Sequence, residues 1–236
     1  MIYFICNFII ITIILPIIIS PLMFFKKDIH NKCLEIILYE ILKIKHIIHY
    51  KHPLIKKGFI LANHRSFLDF ALDPYITHST VIGRILAFVS VSFLAIIGIL
   101  EKKTIIFNRN KTNSQSLLSV CKKHFNSNSL YKDRILFYPE GTRKDYKYLK
   151  NTNQIKKLLR YGLLKRIYED KSLPIQLVLS NNKELIINEK KFIINKNLCL
   201  KTIILEPIYP EDYETFEEFI DILAKQWVHY WNKLLE

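Results

Sequence analysis

The segment LANHRSFLDF, residues 61–70, places a histidine and an aspartate five positions apart, directly after an apolar run. The residues Gly58–Leu61 predict a short buried strand, so His64 would lie in the loop that follows it. Positions five apart on a regular helix differ by about 140°, so the two side chains would not share a face of one helix. They can meet if His64 lies in the loop and Asp69 lies in the first turns of the helix after it. An aspartate that accepts the Nδ1–H of an imidazole fixes the tautomer and leaves Nε2 as a general base. This spacing alone is also compatible with a chance pairing in which Asn63 caps a helix.

A second polar group follows another apolar strand, in ILFYPEGTRK, residues 135–144. Gly141 permits a sharp turn at the strand end. Glu140 and Thr142 carry groups that can hydrogen-bond a polyol, and Arg143 can bind a phosphate with two parallel hydrogen bonds. Taken alone, this segment is also compatible with an ordinary strand-end turn.

A third candidate is Arg109, which follows the apolar run Thr104–Phe107 in the segment TIIFNRN. Ligands of open α/β sheets bind beyond the carboxyl ends of the strands, so an arginine at this place can contribute to a binding site. A single arginine at a strand end is equally compatible with a solvated surface group.

Together these segments resemble the glycerolipid acyltransferases, the family of the 1-acylglycerol-3-phosphate acyltransferases. NHRSFLD at residues 63–69 matches the NHxxxxD motif of that family, and YPEGTR at 138–143 is similar to its FPEGTR motif, with tyrosine in place of phenylalanine. IFNR at 106–109 resembles the end of the second block. LPIQLV at 173–178 resembles the fourth block, in which Leu177 replaces the family's second proline.

The resemblance extends over about residues 51–208 and implies transfer of a fatty acyl group from a thioester, usually acyl-CoA, to a hydroxyl of a glycerol phosphate or lysophospholipid. It implies that His64 takes the proton of that hydroxyl as general base and that Asp69 orients the imidazole. Because the acceptor itself then attacks the thioester, no serine or cysteine nucleophile is required. No cofactor and no metal are expected, and acyl-CoA is the co-substrate.

The resemblance also implies which residues bind the substrate. Arg109 and Arg143 would bind the acceptor phosphate. The other residues expected to shape the pocket or contact the substrate are Glu140, Gly141, Thr142, Asn63 and Ser66.

The sequence leaves the identity of the acceptor open. We expect 1-acyl-glycerol 3-phosphate, with glycerol 3-phosphate or another lysophospholipid as alternatives. Arg65 with Ser66, and Phe70 after the aspartate, resemble the first block of the eukaryotic lysocardiolipin and lysophosphatidate branch. A CoA-independent transacylase is a further alternative. A non-catalytic membrane lipid-binding protein is the alternative of another class, and the motif histidine, aspartate and glutamate argue against it.

The composition favours a lipid surface over nucleic acid as the partner. The 236 residues carry a net charge of +14, half of them are hydrophobic, and the mean hydropathy is +0.12. An apolar and basic chain suits an anionic membrane surface or anionic substrates, and we find no basic tail or nucleic-acid-binding motif. The four cysteines are far apart and form no CxxC pair, so we expect reduced thiols rather than a zinc site or disulfides.

The N-terminal segment predicts attachment to a membrane. Ile2–Phe25 contains no charged side chain and, as a helix, would span about 36 Å, enough to cross a bilayer core. Lys26 and Lys27 follow and favour a cytoplasmic catalytic domain, whereas a kink at Pro16 would let the helix enter one leaflet. We expect a single-pass or monotopic membrane protein, at the endoplasmic reticulum if eukaryotic. The expected organisation is a membrane anchor helix at residues 1–25, an amphipathic linker helix at 26–50 and an acyltransferase domain at 51–236.

Strand-like and helical segments alternate along the rest of the chain, which predicts an α/β fold with a mainly parallel central sheet flanked by helices. The predicted strands are Gly58–Ala62, Thr104–Phe107, Arg134–Tyr138 and Leu173–Leu179, with strand-like segments at Phe192–Ile194 and Leu198–Ile204. The predicted helices are residues 30–48, Phe67–Thr77, Arg84–Leu100, Asn113–Phe125, Ile155–Glu169 and Phe216–Leu235. The uncharged run Ile85–Leu100 would be buried in the domain or partly sunk in the bilayer.

Overall fold

The computed structural model describes residues 2–21, 28–84, 92–108, 114–144 and 146–236. Within these residues a seven-stranded sheet forms the centre of the fold, and a two-stranded hairpin lies beside it. The strands are β1 (Lys45–Tyr50), β2 (Gly58–Ala62), β3 (Thr80–Arg84), β4 (Thr104–Phe107), β5 (Arg134–Phe137), β6 (Ile175–Ser180), β7 (Ile187–Asn188), β8 (Ile193–Ile194) and β9 (Cys199–Ile208). The helices are α1 (Ile2–Ile19), α2 (Ile29–Glu35), α3 (Asp69–Thr77), α4 (Ser92–Leu100), α5 (Ser114–Phe125), α6 (Thr152–Leu158), α7 (Tyr161–Asp170), α8 (Lys183–Ile186) and α9 (Phe216–Leu235).

The large sheet has the order β1-β9-β6-β2-β5-β3-β4. Its neighbouring strands pair in parallel except for β6 and β9, which are antiparallel. The hairpin consists of β7 and β8. The prediction of a mainly parallel sheet flanked by helices is therefore confirmed.

Helices cover both faces of the sheet because the central strands are apolar on both sides. In β2, Phe59 and Leu61 pack with α5, α6, α7 and α9, whereas Ile60 and Ala62 pack with α1, α2, α3 and α4. This alternation follows from the two-residue period of a strand. Strands buried on both faces are typical of parallel sheets, whose crossover helices cover them.

Several predicted elements have different boundaries in the structure. The helix predicted over residues 30–48 ends earlier: α2 continues as a π-helical turn, Ile36–Ile41, and residues 45–50 form β1, which pairs with β9. Arg84, at which the next helix is predicted to begin, is instead the last residue of β3, and the described part of that helix is α4, Ser92–Leu100. Residues 85–91, and the Lys26 and Lys27 used to predict orientation, lie outside the described residues.

The helix predicted over Ile155–Glu169 is divided into α6 and α7. Leu159 and Arg160 between them adopt extended backbone angles. The backbone N–H of Arg160 donates to the carbonyl of Pro139 at 2.7 Å. This bond to the loop after β5 accounts for the break between the two helices. Neither Leu159 nor Arg160 is a proline or a glycine, so the sequence at these positions does not predict a helix end.

The N-terminal helix α1 is long and apolar enough to cross a membrane by its length and composition. It contains a π-helical turn, Ile10–Ile14. One side of the helix packs on the domain: Phe4, Ile11 and Ile19 are buried, and Phe8 contacts Phe67 with ring centroids 5.5 Å apart. Its opposite side carries exposed apolar residues, which are Ile2, Tyr3, Ile5, Ile9, Ile10, Ile14, Ile17 and Ile18.

Candidate active site

The two predicted chemical residues are in contact at the end of β2. His64 lies in the loop after that strand, and Asp69 is the first residue of α3. The Nδ1 of His64 lies 2.6 Å from the Oδ2 of Asp69. The same oxygen accepts the backbone N–H groups of Arg65 at 2.5 Å and Ser66 at 3.1 Å. Because a carboxylate can only accept, the Nδ1 carries the hydrogen and Nε2 is left as the basic nitrogen.

The Asp69 carboxyl is completely buried. Burial acts to raise its pKa, but the Lys183 ammonium and the hydrogen bond from His64 outweigh that effect and hold the pKa below its usual value. Asp69 therefore remains an anion beside the imidazole, as an orienting partner must.

The imidazole ring is fixed by aromatic contacts as well as by Asp69. Tyr138 stacks on it with centroids 4.5 Å apart, and Phe70 packs edge-on at 5.7 Å. The Tyr138 hydroxyl donates to the backbone carbonyl of Asp69 at 2.9 Å. The tyrosine at the position where the family motif has phenylalanine thus links the second motif to the first.

The register of the sheet brings the two motif loops together. Leu61 of β2 pairs with Phe137 of β5, and His64 and Glu140 each follow three residues later. A carboxyl oxygen of Glu140 accepts the backbone N–H of His64. The backbone N–H of Lys144 donates to the carbonyl of His64 at 3.0 Å. The loop that contains PEGTR, residues 139–143, therefore holds the backbone of the loop that contains His64, residues 63–68, which we call the histidine loop.

Glu140 is fully buried, and burial raises its pKa to about 8. Its side chain is bonded to the His64 backbone, and the prediction that Glu140 contacts the substrate stays a prediction. Gly141 adopts φ +69°, in the left-handed region, and an added Cβ would approach the Cγ of Arg160 to 3.1 Å. The sharp turn predicted from this glycine is confirmed.

Arg143 and Thr142 are the exposed residues of this loop. The Arg143 guanidinium lies over the ring of Phe67 at 4.4 Å and forms an ion pair with Glu189, in the turn between β7 and β8. Arg143 thus lies beside Phe67 of the histidine loop. At this place its guanidinium can bind an anion. Arg109, the other predicted phosphate ligand, lies outside the described residues.

Asn63 and Ser66 lie beneath the site. Both are fully buried. The Asn63 side chain exchanges two hydrogen bonds of 2.9 Å with the backbone of Ser180. The Ser66 hydroxyl accepts the N–H of Leu68 at 3.1 Å. These contacts hold the loop in place. The prediction that the two residues contact the substrate stays a prediction, and their complete burial does not favour it.

Arg65 ties the histidine loop to the C-terminal helix. Its guanidinium lies over the rings of Tyr146 at 4.7 Å and Trp231 at 5.1 Å. It also pairs with Glu184 at 2.6 Å and donates to the carbonyl of Lys144 at 2.8 Å. Three separate parts of the chain are thereby fixed around the histidine.

Sequence reasoning missed Lys183, Asp73 and Glu189. Asp73 lies four residues after Asp69 on α3, and that helical spacing could have identified it as a neighbour. No local pattern marks Lys183 or Glu189, since both reach the site from distant segments. Among the described residues, no cluster of three or more histidine, cysteine, aspartate or glutamate side chains could hold a metal ion.

Comparison with known proteins gives matches to a family model and to solved structures. The model of the acyltransferase family matches residues 44–161, half of the chain. No curated protein sequence matches. Among solved structures, the 1-acyl-sn-glycerophosphate (LPA) acyltransferase PlsC from Thermotoga maritima is similar, with a TM-score of 0.63 and 16% sequence identity. The match covers 98% of this chain and 92% of that chain, and it shows a shared fold.

Proposed function

This chain belongs to the acyltransferase family, and we propose that it transfers a fatty acyl group from acyl-CoA to the free hydroxyl of a 1-acyl-glycerol 3-phosphate. The observation that carries the proposal is the 2.6 Å contact between His64 Nδ1 and Asp69 Oδ2. This contact leaves Nε2 as the base for a hydroxyl proton. The likeness to an enzyme acting on a 1-acyl-glycerophosphate supports this choice of acceptor.

The reaction requires one proton relay and no covalent enzyme intermediate. His64 Nε2 takes the hydroxyl proton while the acceptor oxygen attacks the thioester carbonyl. The C–O bond forms, the C–S bond breaks, and the imidazolium returns its proton to the departing thiolate. Asp69 stabilises the imidazolium between these steps, as the buried carboxylate of a hydrolase triad does.

Arg143 is the proposed ligand of the acceptor phosphate. It lies over Phe67, three residues from His64 in the chain, on a loop that hydrogen-bonds the histidine backbone. A guanidinium can bind phosphate through two parallel hydrogen bonds. The phosphate has to displace Glu189, which pairs with Arg143 in the described conformation. Thr142 is exposed on the same turn and is proposed to contact the glycerol.

We place the protein on a membrane through α1. One side of this helix packs along the domain while the other side presents isoleucines. A helix held against the domain along its length suits a monotopic arrangement better than an isolated span. The contact between Phe8 and Phe67 brings the helix to the histidine loop, where a lipid acceptor would enter from the bilayer. The catalytic domain is proposed to face the cytoplasm.

The proposal is tested by following thiol release from acyl-CoA with purified protein and a panel of acceptors. The panel contains 1-acyl-glycerol 3-phosphate, glycerol 3-phosphate, a lysocardiolipin and a zwitterionic lysophospholipid. We expect fastest turnover with 1-acyl-glycerol 3-phosphate. Preference for another acceptor would reassign the substrate, and acylation only from an acyl carrier protein thioester would reassign the donor. Absence of transfer with every pair would contradict the enzymatic proposal.

A further inference from the structure

A lysine is buried directly behind the His64–Asp69 pair. Lys183 is the first residue of α8, just after β6, and it is completely inaccessible to solvent. Its Nζ donates to the carbonyl of Asn63 at 2.7 Å and to the two oxygens of Asp73 at 3.0 and 3.3 Å. It lies 3.2 Å from Oδ1 of Asp69. A buried ammonium is tolerated only where anions and hydrogen-bond acceptors surround it.

The two aspartates present their carboxylates to Lys183 from one side of α3, since they are four residues apart. Asp69 shares one oxygen with His64 and turns the other toward Lys183. Asp73 is also completely buried, and burial raises its pKa to about 7. Protonation of Asp73 near neutral pH would leave the charge of Lys183 acting on Asp69 alone.

Other charged and titratable groups lie around this cluster, and Tyr146 hydrogen-bonds Glu140. Arg65, from the histidine loop, pairs with Glu184. Glu140, from the loop after β5, is raised in pKa by burial. Tyr138, from the same loop, has a pKa well above its ordinary value because it is buried beside Asp73 and Asp69. Arg143, which follows Thr142 in the same loop, pairs with Glu189.

We propose that Lys183 and Asp73 are positioning residues that act through Asp69 and set the pH at which the His64–Asp69 pair becomes an active base. The inference deepens the proposed function and rests on it. Without Lys183, Asp69 loses its ammonium neighbour, so the pair holds a proton to higher pH. Without the Asp73 carboxylate, the ammonium acts only on Asp69, so the pair gives up its proton at lower pH.

The test compares pH profiles of kcat/KM for thiol release. Lys183→Met is expected to move the acid limb up by about one pH unit or more, the usual effect of one opposite charge at this distance. Asp73→Asn is expected to move it down by a smaller amount, because Asp73 is itself partly protonated near neutral pH. The double variant should lie between the two. Lys183→Arg, which keeps the charge, should leave the limb near its wild-type position.

Thr77→Val is the matched control, since it removes a buried but uncharged group of α3 whose hydroxyl donates to the Asp73 carbonyl at 2.6 Å. It should not move the limb. Uniform loss of activity at every pH without a shift, or shifts of both charge variants in one direction, would overturn the proposal. If Lys183→Met does not fold, Asp73→Asn decides: a downward shift supports the proposal and an unchanged limb overturns it.

A second readout separates this inference from the proposed function. The titration midpoint of the His64 ring is followed by NMR with labelled imidazole nitrogen, which requires no acyl transfer. A lower midpoint in Asp73→Asn than in wild type supports the charge coupling even if the panel of acceptors shows no turnover. An identical midpoint overturns the coupling even if acyl transfer is found.

Discussion

Arg143 is paired with Glu189, so the arginine proposed to bind the acceptor phosphate already holds an anion from the turn between β7 and β8. The guanidinium and carboxylate are both partly exposed, and such a pair contributes about 0–1 kcal/mol. A dianionic phosphate can therefore displace the carboxylate at small cost. The pair also shows that the Arg143 side chain is positioned to bind a negatively charged group.

The first prediction concerns Glu189→Gln. Removal of the competing carboxylate should lower the KM for a phosphate-bearing acceptor by up to about fivefold, the equivalent of 1 kcal/mol. The KM for acyl-CoA should not change. Glu206→Gln, at an exposed carboxylate on β9, serves as the matched control in the same two-substrate assay. A lower KM for both substrates, or for neither, would mean that Glu189 does not compete with the acceptor.

The second prediction concerns Arg143 itself. Arg143→Ala should raise the acceptor KM strongly, because a charge-assisted hydrogen bond contributes roughly 1.5–3 kcal/mol. Arg143→Lys should restore the response only in part, since an ammonium lacks the planar fork. The measurement is a kinetic matrix with both substrates varied. A defect confined to acyl-CoA would place Arg143 at the CoA phosphates. Arg109→Ala in the same matrix tests the other predicted phosphate ligand.

The third prediction concerns the membrane. The protein should float with anionic vesicles and stay bound in high salt, because burial of apolar side chains is not screened. Ile14→Ser combined with Ile18→Ser removes two exposed isoleucines of α1 and should weaken vesicle binding by at least about tenfold. Ile47→Ser changes an equally apolar exposed residue on β1 and should have little effect. Equal binding of all three proteins would refute attachment through α1.

The fourth prediction concerns stability against pH. Burial raises the pKa of Glu140 from its ordinary 4.5 to about 8. The folded state therefore holds this proton more tightly than the unfolded state does. The contribution of the protonated Glu140 carboxyl to the free energy of unfolding is fully present below pH 4.5 and is lost as pH rises through 8. Glu140→Gln keeps an acceptor for the His64 N–H but cannot ionise. The Tm of the variant minus that of wild type should become more positive between pH 5 and 9, and parallel curves would contradict the buried carboxyl.

Much of the site could be predicted from the sequence because its main contact is local. His64 and Asp69 are five residues apart, and a strand, a loop and a helix start in that order suffice to bring them together. The turn at Gly141 could be predicted in the same way, since a backbone conformation with positive φ favours glycine. Such features depend on neighbours in the chain, which a single sequence displays.

The parts that sequence reasoning missed depend on distant pairing. Lys183 contacts Asp73 across 110 positions, and nothing near either residue specifies that contact. The apolar spacing of residues 30–48 predicts a helix, whereas residues 45–50 belong to β1. They form a strand because β9 offers a parallel partner at the sheet edge, where tertiary pairing outweighs local preference.

The most direct test of the central claim is the turnover of His64→Ala, measured by thiol release from acyl-CoA with 1-acyl-glycerol 3-phosphate, next to wild type. Circular dichroism and Tm establish that the variant is folded. The loss of a general base predicts a decrease in kcat of about 10²- to 10⁴-fold, and Asp69→Asn should also be severely impaired because the amide allows the wrong tautomer. A well-folded His64→Ala protein with near-normal turnover would contradict the assignment of His64 as the base.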